Sequence, residues 1–113
     1  MEKKIEIINK EIEILTKTLN SLNEKIEGVR FIDFVRSMGS EIIILEKKIE
    51  ILTMVRNNLQ LNPTQDMFDR QYNSICRLAM INVGFASGAL THSIEALCNN
   101  AVKEVYEFLT YIE

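Results

Sequence analysis

Cys76, His92 and Cys98 are the residues whose types suit a soft metal, because thiolate and imidazole are the ligands that zinc and copper prefer. Their spacing works against that use. Ligands on one helix converge at i, i+3 or i+4, whereas these stand sixteen and six residues apart (76 to 92, 92 to 98). On a continuous helix the two cysteines would lie roughly 33 Å apart at ~1.5 Å per residue. Three side chains filling a core is the plainer reading, so no metal and no other cofactor is expected.

His92 could also serve as a general base for Ser87, Thr91 or Ser93. A hydroxyl nucleophile needs that base within hydrogen-bond reach and a third group to orient it. Neighbouring helical positions diverge by about 100°, so Ser93 does not face His92. Glu95, at i+3, suits a surface pair as well as an orienting carboxylate. The sequence reads as non-enzymatic.

Arginine offers more. Arg56, Arg70 and Arg77 are the basic residues of interest, with Tyr72 close in sequence and Asn57, Asn58 and Gln60 beside Arg56. A guanidinium grips phosphate or carboxylate in a two-pronged fork. These four side chains would suit a small anionic, nucleotide-like ligand held between subunits; ordinary salt bridges at a helix edge are the plain alternative. Gly84-Phe85-Ala86-Ser87-Gly88 also admits two readings. A helix starting near Ser87 would offer free N–H groups to an anion, yet no Lys or Arg lies in the motif. Small residues four apart instead let two helix backbones approach closely, and that is the expected role.

The elements that must position these residues are helices. Ile5, Ile8, Ile12, Leu15, Leu19, Leu22 and Ile26 follow alternating steps of three and four. That is an unbroken heptad seam, narrow enough to favour coiled-coil packing. Gly28 weakens the helix, but Phe31, Phe34, Val35 and Met38 resume helical spacing. Gly39-Ser40 reads as the first full turn, glycine closing one helix and serine capping the next. A second helix over about 41–61 repeats the seam with Ile42, Leu45, Ile49, Leu52 and Leu59, Arg56 taking one seam position. Ile12-Glu13-Ile14-Leu15-Thr16 recurs there as Ile49-Glu50-Ile51-Leu52-Thr53. A short turn between such helices implies an antiparallel hairpin over 2–61.

Asn62-Pro63-Thr64-Gln65 is the clearest helix start, with Asn62 as cap, Pro63 at the first helical position and Gln65 at the third. Met67, Phe68, Tyr72, Ile75, Leu78, Ala79 and Ile81 carry a third helix. Asn99-Asn100 suggests a further break before Val102, Val105, Phe108, Leu109 and Ile112. Residues 63–113 therefore hold one or more helices, and no segment alternates as a strand would.

Bulk properties bound the function. The 113 residues are one domain's length, 47% hydrophobic and 26% charged, which excludes a disordered chain. A net charge of −3 argues against a nucleic-acid surface. Residues 78–94 hold no Asp, Glu, Lys or Arg, but Asn82, Ser87, Thr91, His92 and Ser93 make them too polar, and they are too short, for a membrane span. Two cysteines and no signal-like leader point to the cytoplasm. In residues 74–102 Arg77, Glu95 and His92 are the side chains that could carry charge near neutrality, and a helix without a solvated face is a buried one. Other copies of the chain would bury it, with Gly84, Phe85, Gly88, Leu90, Ile94 and Leu97 as the packing residues. The expectation is an all-α, single-domain oligomeric helical bundle over 1–113: an antiparallel, coiled-coil-like hairpin and one or two C-terminal helices forming the oligomer core. Its expected work is non-enzymatic binding, as an assembly, adaptor or inhibitor of a protein partner, and its composition would suit a phage or mobile-element accessory protein. The alternative is sequestration of the nucleotide-like anion.

Overall fold

A computed structural model, describing residues 1–28, 32–83 and 94–112, shows an all-α chain. The four helices are α1 (Glu2–Gly28), α2 (Ile32–Leu61), α3 (Gln65–Val83) and α4 (Ile94–Ile112). Glu2 in the first turn and Lys25 in the last complement the dipole of α1. Thr16 and Thr18 donate back to the carbonyls of Ile12 and Ile14 at 2.7 and 2.9 Å, so their hydroxyls cost the helix nothing in unmet bonds.

Two expected interruptions are absent. α2 runs through Gly39-Ser40 without a break, and α4 runs through Asn99-Asn100. Gly39 lacks the left-handed backbone of a closing glycine, and a Cβ built there meets nothing within 4 Å. Ala96, Leu97, Ala101 and Val102 are buried on both sides of Asn99-Asn100, and Leu45 is buried beyond Gly39-Ser40, which outweighs a propensity cost of about 1 kcal/mol. The first helix ends at Gly28 instead. The start of α3 is displaced as well. Thr64, not Asn62, is the cap: its Oγ1 accepts from the Met67 N–H at 3.1 Å, and its carbonyl accepts from Phe68. Pro63 stands just outside the helix, between the last bond of α2 (Asn62 N–H to Asn58 carbonyl) and that cap.

The helices alternate in direction. Arg56 reaches Asn9, so the end of α2 lies beside the start of α1. Asn58 reaches Gln71 across the α2–α3 turn, and Tyr72 reaches Thr110 from α3 to α4. α2 is the central element, packed on α1 and α4 and touching α3 near their shared turn. Its thirty residues, at ~1.5 Å each, account for most of the 48 Å long axis. Ile8 and Leu15 of α1, Leu45, Ile51, Leu52, Val55 and Leu59 of α2, Phe68, Ile75 and Ala79 of α3, and Val102, Val105 and Leu109 of α4 form one core.

The interior of α4 bears on the expected oligomer core. Ala96, Leu97, Ala101 and Val102 are buried by the chain itself, while Glu95, Asn100, Lys103 and Glu104 are exposed. Leu97, expected against another copy, is 7% exposed in the single chain. α4 therefore has a solvated face, and its inner face needs no second copy. Gly84, Phe85, Gly88 and Leu90 lie outside the described residues, as does the side chain of Ile94.

Candidate functional site

α3 starts at the Thr64 cap and packs Phe68, Ile75 and Ala79 into the core. Positions i, i+3, i+4, i+7 and i+8 of the outer face are then Arg70, Asn73, Ser74, Arg77 and Leu78, and these line an open depression of about 480 Å³. Arg70 and Arg77 are about 10.5 Å apart along the axis and only about 20° apart around it, so both forks project from one side. Asp66 holds Arg70 Nε at 3.3 Å, with both side chains largely in solvent. Arg77 makes no hydrogen bond or ion pair among the described residues.

The other two residues expected at an anion site do not join them. Arg56 is committed elsewhere: Nη1 donates to Asn9 Oδ1 at 3.3 Å, and Nη2 and Nε donate to Asn57 Oδ1 at 3.2 and 3.4 Å. Its seam position lets it bridge α1 and α2 through amides. Tyr72 points towards α4. Its ring stacks on Phe68 and Tyr106, at 6.3 and 5.5 Å between centroids, with Lys4 Nζ 4.1 Å above the Phe68 ring. A four-residue cage of Arg56, Arg70, Tyr72 and Arg77 is therefore not assembled within one chain.

A second cluster forms around Tyr72. Its hydroxyl lies 2.9 Å from Thr110 Oγ1 and 3.5 Å from the Tyr106 hydroxyl, while Thr110 donates to the Tyr106 carbonyl at 2.9 Å. Hydrogen bonding to Tyr72, then to Cys76, pushes Tyr106 up from 10.0 to about 12. Its hydroxyl accepts from Tyr72 and is harder to ionise than a free phenol, which suits a clamp and not a nucleophile. The arrangement clamps α3 to α4. Sequence reasoning named Tyr72 but missed Tyr106, Thr110 and Cys76 as its company. The available signal was two i, i+4 polar pairs, Tyr72/Cys76 and Tyr106/Thr110, whose meeting requires the antiparallel register of α3 and α4.

The remaining candidates contribute less. Cys76 and Cys98 are free and half-buried, and His92 lies outside the described residues. Among the described residues no three His, Cys, Asp or Glu side chains gather as metal ligands would, and no helix is long and apolar enough to cross a membrane. A depression of about 270 Å³ on α1, between Glu6, Ile7, Asn9, Lys10 and Glu13, mixes both charge signs, as a solvated helix face does. Set against protein-family models, curated proteins and solved structures, the chain matches none.

Proposed function

We propose that this chain is a non-enzymatic helical binding protein that offers the outer face of α3 to a macromolecular partner, and that copies of it associate. The observation that carries the reading is the make-up of that face. Arg70 and Arg77 flank Asn73 and Ser74, with Leu78 48% exposed at its upper end, on a helix whose opposite side is fully packed. Arginine is among the residues that interface centres favour, and a face backed by a packed core is rigid before binding. Ile7 and Ile14, exposed and one heptad apart on α1, are the parallel observation for self-association: they form a second, short apolar row outside the seam that faces α2. The α1–α2 hairpin supports a coiled-coil description, since every seam residue from Ile5 to Ile26 is buried or half-buried.

The test joins light scattering to partner capture. Wild-type chain should exceed monomer mass at micromolar concentration and retain a partner in fixed ratio. Leu78→Asp should lose the partner while keeping its helicity. A monodisperse monomer would remove the self-association, and capture unaffected by Leu78→Asp would remove the α3 face.

A further inference from the structure

We propose that the depression on α3 is a binding site for a small organic phosphate, with the phosphoryl groups on Arg70 and Arg77 and an apolar or aromatic body against Leu78. Its volume of about 480 Å³ lies inside the range of roughly 300–1,000 Å³ that small-molecule sites occupy. Every polar side chain lining it among the described residues can donate: two guanidiniums, the Asn73 amide and the Ser74 hydroxyl. No carboxylate is among those lining residues. In a chain of net charge −3, residues 70–83 carry two arginines and no acid, the nearest carboxylates being Asp69 and the Asp66 that pairs with Arg70.

The state of each arginine matters more than the count. Arg56 directs Nε, Nη1 and Nη2 to Asn57 and Asn9, away from this depression. Arg77 has no partner among the described residues. Arg70 has one contact, through Nε to Asp66, at side-chain exposures of 73% and 78%. Exposed single-contact pairs are worth little and exchange readily, whereas a phosphate oxygen pair engages two N–H groups of a fork at once. Among the described residues the site therefore holds one uncommitted fork and one that a dianion can take over. This inference uses the same face as the partner reading but does not depend on a partner, and an occupied site would compete with one.

The experiment is a titration of the full chain with ATP and, separately, inorganic tripolyphosphate at matched ionic strength, followed by calorimetry and by backbone amide NMR shifts. Both probes should bind, with shifts concentrated on 70–78. Arg77→Gln should weaken both at least about tenfold. Arg77→Lys, which keeps the charge and loses the fork, should recover only a minor part of that loss. Leu78→Ser should weaken ATP and leave tripolyphosphate unchanged. These side chains are exposed, so the variants keep the wild-type circular dichroism. No saturable binding of either probe overturns the site, as do shifts that survive in the Arg70→Gln/Arg77→Gln double variant. Full affinity in Arg77→Lys overturns it too, because the effect is then charge alone. Partner capture that persists while both titrations fail would sink this inference and spare the binding function.

Discussion

Ile12-Glu13-Ile14-Leu15-Thr16 in α1 and Ile49-Glu50-Ile51-Leu52-Thr53 in α2 are the same five residues in the same helical state, yet the chain uses them differently. Leu15 and Leu52 are both buried, at 6% and 1% exposure. The second isoleucine of the pair diverges: Ile14 is 57% exposed and Ile51 is 8%. The cause lies outside the pentapeptide. α1 packs mainly on α2, so one narrow stripe suffices, with Ile8 and Leu15 at its centre. α2 has neighbours on several sides, and its buried residues Leu45, Ile51, Leu52, Val55 and Leu59 spread over an arc of about 120°. A heptad seam specifies one contact; position in the bundle decides whether a helix needs another.

The largest expected effect is at the deeper leucine. Leu52→Ala should cost about 3–4 kcal/mol in urea unfolding, and Leu15→Ala about 1 kcal/mol less, because the edge site relaxes more readily around the lost methyls. Equal costs would mean that α1 is no edge. Ile51→Ala should cost about 2–3 kcal/mol, whereas Ile14→Ala should stay within about 0.5 kcal/mol. A large, concentration-dependent loss at Ile14 would instead place a second copy on that row, extending the comparison to the assembly. Gly39→Ala should raise stability by about 0.5–1 kcal/mol, since the position is helical and a Cβ meets nothing within 4 Å. Destabilisation there would restore the turn at 39–40 and shorten α2. Smallest of all, Lys17→Ala and Lys47→Ala should each change stability by less than about 0.5 kcal/mol. Both remove short-range helix pairs, Glu13–Lys17 at 3.4 Å and Lys47–Glu50 at 3.5 Å, whose carboxylates sit in solvent.

Much of the helical content was legible because periodicity is a local property. The seam of α1, the continuation of α2 to Leu61 and the helix start near Pro63 all follow from spacing and side-chain type. Breaks were harder to read. Gly39-Ser40 and Asn99-Asn100 have the composition of turns, but a turn signal states a preference of about 1 kcal/mol that several buried neighbours can override. The cap also moved, from Asn62 to Thr64. Both side chains can cap, and the structure has Thr64 in that role with Phe68 buried one turn on.

The candidate site was legible in half. Arg70 and Arg77 share a face by their spacing of seven, which any helix would give them. Whether Arg56 and Tyr72 would join them depended on helices distant in sequence, and both went elsewhere, to Asn9 and to Tyr106 and Thr110. The low charge of residues 74–102 was read as a demand for other subunits. In the described part of α4, Ala96, Leu97, Ala101 and Val102 are already buried within the single chain.

By itself the sequence determined the helical state, the α1 seam and the common face of Arg70 and Arg77, because each depends on residues within a few turns of one another. Only the tertiary structure decided which of Arg56, Arg70 and Arg77 has no partner among the described residues, which isoleucine is buried and that the inner face of α4 is buried within one chain. Those outcomes depend on which helices become neighbours, and identical local segments carry no record of that.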